Sequence, residues 1–153
     1  MIMRIEPDDL SRAEVQHLIA EHLADMHATS PAESVHALDP GALRADGVSF
    51  WTVWDGATLL GCGALKELGP YAGEIKTMRT RPEARGSGVA AHMLAFLIAE
   101  SRRRGYRSIS LETGTHDYFA AARRLYARHG FVACPPFGDY TNDPNSTYLT
   151  LST

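Results

Sequence analysis

The sequence RPEARGSGVA, residues 81–90, stands between a β-rich run and an apolar helical pattern. Pro82 ends the strand, since the residue before a proline avoids helical backbone. Gly86 and Gly88 allow the backbone to approach a bound group without a Cβ in the way. The unpaired amides of the following helix converge at its positive end. Together these features predict a strand, a glycine-rich turn and a helix that cradle an anion.

Three β-rich runs precede or reach this turn, at residues 47–54, 57–68 and 72–80. Asp55-Gly56 lies between the first two runs and is a strong hairpin signal, so we expect an antiparallel meander. Gly61 and Gly63 interrupt the second run and predict a bulge or a close backbone approach there.

Helical patterns surround this meander. A strand at residues 3–6 precedes an amphipathic helix. Ser11 and Glu14 predict a capping box for this helix, and His22 is expected on its surface or rim. An apolar helix follows Gly88, and later segments predict a strand at 108–112, a helix at 118–129 and strands near 131–134 and 147–151. A strand between two helices requires a crossover and hence a parallel pair. The order predicts an α/β (α+β) fold in one domain, residues 1–153, with a single mixed, mostly antiparallel sheet flanked by helices.

Composition restricts the classes of function. Charged residues make up 22% of the chain and the formal net charge is -3, which argues against a generally basic nucleic-acid-binding surface. Cys62 and Cys134 have no C-x-x-C spacing, and the histidines lack metal-ligand spacing. No apolar run approaches membrane-spanning length. We expect a cytoplasmic protein with reduced cysteines and with no metal, nucleic-acid partner or membrane contact.

Two common phosphate-binding motifs do not fit the turn. The chain has no G-x-x-x-x-G-K-[ST], and G-x-G-x-x-G fails at Ala91. The turn does contain R-x-x-G-x-A, and L-Y-x-x-x-G-F follows downstream, at Leu125, Tyr126, Gly130 and Phe131. This ordered pair of motifs resembles the GNAT family of N-acetyltransferases. The tail sequence FGDY also resembles that of a bacterial subgroup whose substrate is unassigned.

The resemblance implies acetyl-CoA as the co-substrate. The CoA pyrophosphate is expected on the turn formed by Arg85, Gly86, Ser87, Gly88, Val89 and Ala90. In the family, the preceding strand is splayed from its neighbour and its main chain pairs with the pantetheine arm, at positions that match Met78, Arg79 and Thr80. The Met78 amide is the expected oxyanion donor.

Tyr126 matches the family tyrosine that protonates the CoA sulfur. A phenol with a pKa of about 10 stays protonated while a thiol of about 8.5 leaves as thiolate. The alternative is that Tyr126 is only a core aromatic. For the general base, Glu112 ranks ahead of Glu74. Phe119 stands where many family members have an asparagine that contacts the CoA arm, so that contact is not carried over.

The irregular segment 27–36 and the tail 136–143 are expected to flank the acceptor. Candidate acceptor-binding residues are His27, His36, Glu67, Asp139 and Tyr140. These observations predict transfer of an acetyl group to a small primary amine by direct attack in a ternary complex. Two alternatives stay open: an acetyl-CoA-binding sensor without catalysis, and acetylation of a protein lysine or N-terminus. Family habit and the edge strands also suggest a homodimer.

Overall fold

The computed structural model describes residues 2–153 as a mixed sheet with helices on both faces. Three short 3₁₀ turns also occur, at Ala32–Ser34, Pro82–Ala84 and Asp117–Phe119. The elements in chain order are β1 (Arg4–Pro7), α1 (Ala13–Thr29), α2 (Pro40–Leu43), β2 (Val48–Asp55), β3 (Thr58–Gly69), β4 (Ala72–Thr80), α3 (Val89–Arg103), β5 (Ser108–Gly114), α4 (Ala120–Arg128), β6 (Val132–Ala133) and β7 (Ser146–Ser152). Within residues 2–153, no helix is both long and apolar enough to cross a bilayer.

The seven strands form one sheet in the order β1-β2-β3-β4-β5-β7-β6. Each neighbouring pair is antiparallel except β4 and β5. The mixed, mostly antiparallel sheet and its parallel pair are therefore confirmed. β4 and β5 are paired only over Ala72–Glu74 and Ser108–Ser110. Beyond these residues the two strands are unpaired with each other, which leaves a split in the middle of the sheet.

Two apolar clusters cover the two faces of the sheet. One cluster joins α3 and α4 to the sheet through residues such as Met93, Leu97 and Leu125. The other joins α1 to the sheet through residues such as Val15 and Ile19. The helices are thus anchored on opposite faces, and the split between β4 and β5 opens between them.

The interruptions in β3 bring backbone and side chains close together, as the sequence predicts. A Cβ on Gly61 would lie 2.5 Å from the carbonyl oxygen of Arg79. A Cβ on Gly63 would lie 2.8 Å from Cγ of Met93. Glycine at these two positions therefore lets β4 and α3 pack against β3.

Two predictions for α1 are wrong. The N-cap residue is Arg12, without a side-chain cap, and the hydroxyl of Ser11 donates to Asp9 instead. The Ser11 hydroxyl donates to Asp9 because this aspartate lies only two residues earlier, in a turn. His22 is not on the surface but only 7% exposed, because the polar side of α1 packs against β4.

Candidate active site

A cleft of about 610 Å³ lies where β4 and β5 separate. The turn before α3 and the inner side of α4 form one wall, at residues 85–91 and 121–128. Residues of α1 and the segment after it form the opposite wall, including His22, Met26 and His36. The cleft is therefore reached from both faces of the sheet, with the glycine-rich turn on one side and the irregular segment on the other.

The glycine-rich turn has the conformation that an anion cradle requires. Gly86 and Gly88 have φ angles of +81° and +82°, in the left-handed region that favours glycine. A Cβ at either position would meet no atom within 4 Å, so the space in front of the turn is open. Gly88 is the N-cap of α3 and no side chain caps it, so the first amides of this long helix are available to an anion. Ser87 is exposed and does not line the cleft.

A bulge in β4 lies in the middle of the cleft. Lys76 pairs with Ala64 and Arg79 with Cys62, so Thr77 and Met78 together stand opposite a single residue of β3. Thr77 has a φ of +55°, which is rare for a β-branched residue and costs roughly 1–3 kcal/mol. Such strain clusters at functional sites, and here it lies beside the amide expected to stabilise an oxyanion.

Tyr126 lies at the boundary between the cleft and the core. Its side chain is 6% exposed and packs edge-on against Phe131, with the ring centroids 5.7 Å apart. It also lines the cleft, on the same wall as the glycine-rich turn. Burial raises the pKa of Tyr126 to about 12. The phenol therefore stays protonated at neutral pH and can act as a proton donor.

The two candidate bases have different surroundings. Glu74 is 3% exposed and accepts hydrogen bonds from the Tyr140 hydroxyl at 2.5 Å and from the Lys76 ammonium at 3.4 Å. Lys76 also donates to the Tyr140 hydroxyl at 2.8 Å. Burial and the charge of Glu74 raise the pKa of Tyr140. Glu74 is therefore engaged through Oε2 in a polar cluster with Tyr140 and Lys76.

Glu112 lines the cleft from β5. Burial raises the pKa of its carboxyl above the usual 4.5, with a smaller contribution in the same direction from the charge of Glu74. A raised pKa makes a carboxylate a stronger base. The surroundings thus favour Glu112 over Glu74 as the proton acceptor.

A second cavity of about 850 Å³ adjoins the cleft on the acceptor side. Glu67 and Asp139 line it, together with much of the tail. The shared wall between this outer cavity and the cleft consists of Ser34, His36, Glu74, Lys76 and Tyr140. The predicted acceptor residues thus lie together, apart from His27, which is on α1 and lines neither cavity.

Phe119 stands where many family members have an asparagine, and its ring packs against the main chain at Gly114. Its ring lies so close to Gly114 that a Cβ there would overlap Cδ2 of the phenylalanine. The residue lines the cleft and is buried. An apolar ring therefore replaces an amide at this end of the cleft, while β5 ends in a glycine that makes room for it.

Sequence reasoning missed a cluster of charges around Arg79. This residue is 6% exposed and forms ion pairs with Glu21 at 2.6 Å and Asp25 at 2.7 Å, both on α1. It also donates to the Tyr118 hydroxyl at 3.1 Å. The one sequence signal was the spacing of the two carboxylates, which places them on the same side of a helix.

The split mixed sheet, the cradle at a helix N-terminus and the bulged strand define the class of acyl-CoA N-acyltransferases. A solved Klebsiella pneumoniae structure assigned to that class has a TM-score of 0.79 and 28% identity, and the match covers 99% of this chain and 97% of the other. A GNAT family acetyltransferase from Elizabethkingia anophelis with acetyl-CoA bound has the same fold, with a TM-score of 0.69, 14% identity and coverage of 99% and 98%.

The sequence comparisons specify the family. The family model described as "Acetyltransferase (GNAT) family" matches residues 14–131. The uncharacterized N-acetyltransferase YsnE of Bacillus subtilis is 48% identical over 148 residues, which is 97% of this chain and 98% of that protein. The chain belongs to the acetyltransferase (GNAT) family, and the resemblance of its two motifs to that family is confirmed.

Proposed function

We propose that this protein, acting as one domain, transfers an acetyl group from acetyl-CoA to the primary amine of a small molecule by direct attack in a ternary complex. The observation that carries the proposal is the single cleft that brings together the anion cradle, the strained bulge, Tyr126 and Glu112. Each supplies one requirement of thioester aminolysis: binding of the donor, stabilisation of negative charge, a proton donor and a proton acceptor.

The donor is assigned to the wall formed by α3 and α4. The open turn around Gly86 and Gly88 fits a pyrophosphate, because backbone amides and the positive end of a helix face the same space. The bulge at Thr77–Met78 fits the thioester end, because a main-chain amide released from the regular ladder can donate to the carbonyl oxygen.

Two side chains move the protons. Glu112 takes a proton from the incoming ammonium, directly or through a water molecule, so that the amine has a lone pair for attack on the thioester carbonyl. Tyr126 donates its hydroxyl proton to the sulfur as the carbon–sulfur bond breaks, and CoA leaves as the thiol. The buried phenol suits this role because it remains protonated until the thiolate develops. The second proton of the attacking nitrogen then restores the phenol of Tyr126, directly or through water, and Glu112 releases its proton to solvent.

The cleft and the adjoining outer cavity support a small acceptor. The polar cluster of Glu74, Lys76 and Tyr140 forms part of the wall between them and would orient the amine without itself taking the proton. His36, which lines both the cleft and the outer cavity, packs edge-on against Tyr140, with ring centroids 4.9 Å apart.

The proposal is tested by following release of free CoA from acetyl-CoA by chromatography, which avoids thiol reagents that would react with Cys134. The panel consists of amino acids, polyamines, aminoglycosides and short peptides. We expect release to depend on one class of amine. Tight binding of acetyl-CoA with no release for any amine would contradict the proposal and favour a sensor, whereas acetylation confined to a protein partner would favour a protein acetyltransferase.

A further inference from the structure

Three side chains that line the cleft each have one buried polar atom without a hydrogen-bond partner in residues 2–153. The atoms concerned are Nδ1 of His22, Oγ1 of Thr77 and Nε of Arg79. The three residues are only 7%, 7% and 6% exposed. A buried polar atom without a partner costs roughly 1–3 kcal/mol, so three around one cleft indicate that a bound group completes their hydrogen bonding.

The His22 and Arg79 side chains lie across the cleft from the donor wall. His22 belongs to α1, and the Arg79 side chain is tied to the same helix by its ion pairs. Met78, next to Arg79 in β4, instead packs against the cluster that contains α3. The glycine-rich turn and Tyr126 belong to α3 and α4, so His22 and Arg79 face the donor site from the acceptor side.

The charges at this wall favour a neutral ligand group. Glu21 and Asp25 already take the two terminal nitrogens of Arg79, so the guanidinium charge is more than balanced. Burial, and then the charge of Arg79, lowers the pKa of His22 to about 4, so the imidazole is uncharged at neutral pH. A carboxylate on the ligand would be repelled by Glu21 and Asp25. An ammonium can only donate hydrogen bonds, so it could not accept one from Nε–H of Arg79.

The available atoms also select the kind of neutral group. Nε of Arg79 can only donate a hydrogen bond, so the ligand atom must be an acceptor. The Thr77 hydroxyl and the neutral imidazole can each donate or accept. A hydroxyl oxygen or an amide carbonyl oxygen meets these requirements, whereas a methylene or methyl group leaves all three atoms unpaired.

We propose that His22, Thr77 and Arg79 form a subsite for a neutral oxygen of the acceptor, so that the protein selects amines bearing a hydroxyl or amide over plain alkylamines. The inference rests on the proposed function and names the class of acceptor. A site built to hydrogen-bond a substrate oxygen discriminates strongly against an analogue that lacks it, because its own polar groups then remain buried and unpaired.

The kinetic test compares aminobutanol with pentylamine, in which a methyl group replaces the hydroxyl, together with shorter and longer members of both series. The wild type should show a kcat/KM at least about tenfold higher for the best amino alcohol than for its alkylamine. Thr77→Ala should lose most of that preference, and Thr77→Ser, which restores the hydroxyl, should retain it. Alanine and serine are both smaller than threonine, so packing alone does not separate the two variants.

A binding test distinguishes failure of the subsite from failure of the proposed function. The same two amines are titrated calorimetrically into protein saturated with CoA. Tighter binding of aminobutanol that weakens in Thr77→Ala supports the subsite even if no amine is acetylated, which would contradict only the proposed function. Equal binding of the two amines overturns the subsite. Weaker binding of acetyl-CoA in Thr77→Ala, with the acceptor preference intact, also overturns it and assigns these atoms to the donor.

Discussion

Glu74 and Glu112 show how surroundings separate two side chains that the sequence treats alike. Both are glutamates on the strands that border the cleft. Glu74 accepts hydrogen bonds from Tyr140 and Lys76, whereas partial burial raises the pKa of Glu112. The sequence predicts the same order of preference for the base, but the physical reason lies in contacts with the tail that no local pattern predicts.

Glu112→Gln should lower kcat by about 10²–10⁴-fold and leave acetyl-CoA affinity nearly unchanged, because the amide cannot accept the ammonium proton. In the wild type, kcat/KM should rise with pH through the raised pKa of Glu112, and this limb should disappear in the variant. Steady-state kinetics across pH provides the measurement. Glu14→Gln, on the exposed side of α1, is the matched control; equal activity of the two variants would exclude Glu112 as the base.

Tyr126→Phe should reduce kcat by at least about 10²-fold with little change in acetyl-CoA affinity or in melting temperature, because only the proton donor is removed and the ring packing is kept. Tyr71→Phe, at a tyrosine that is 55% exposed, is the control. Kinetics and thermal unfolding of both variants are compared. A parallel loss of stability and activity in Tyr126→Phe would mean that the residue acts only through packing.

His22 makes stability depend on pH in a defined direction. Burial and Arg79 lower its pKa from 6.5 to about 4, so between these values the unfolded chain binds more protons than the native one. The resulting contribution to the free energy of unfolding is present above about pH 6.5. It is lost as pH falls toward 4, by up to about 3 kcal/mol. Urea unfolding across this range should show a shallower pH slope in His22→Asn than in the wild type or in His17→Asn. Equal slopes in all three proteins would show that His22 does not titrate in this way.

The close approach of β3 to its neighbours can be predicted from the sequence, whereas the backbone conformation of Thr77 in β4 cannot. Gly61 and Gly63 in β3 signal the close approach of neighbouring segments, and that prediction is confirmed. The positive φ of Thr77 has no sequence signal, because threonine disfavours that conformation and adopts it here only through the register of β3 and β4. The donor wall is thus predictable from glycines and the helix pattern, whereas the bulge in β4 is not.

The turn before α3 allows a matched test of the cradle. Gly88 and Gly56 both have a positive φ and both have open space where a Cβ would go, but Gly56 lies in the β2–β3 hairpin. Gly88→Asp and Gly56→Asp should therefore cost similar stability, roughly 1–2 kcal/mol. Only Gly88→Asp should weaken acetyl-CoA binding, by more than about tenfold, because it adds a negative charge in front of the helix amides. Calorimetric titration tests this, and equal affinities of the two variants would contradict the cradle.

Across the whole fold, the split sheet separates the proposed donor wall from the proposed acceptor wall of one cleft. The order of elements and the parallel pair follow from the sequence, since periodicity and crossover rules determine them. The burial of His22 and the ion pairs of Arg79 do not, because they arise when α1 packs across strands distant in sequence. The acceptor side is consequently the less predictable half of the site.

The fate of a labelled acetyl group tests most directly whether acetyl passes from CoA to the amine in one step. The protein is mixed with acetyl-CoA labelled in the acetyl group and with the best amine of the panel. The masses of protein, amine and CoA are then followed by mass spectrometry over a single turnover. We expect label on the amine, free CoA in equal amount and no labelled protein. Labelled protein formed before the labelled amine would contradict direct attack, and label remaining on CoA would contradict acetyl transfer itself.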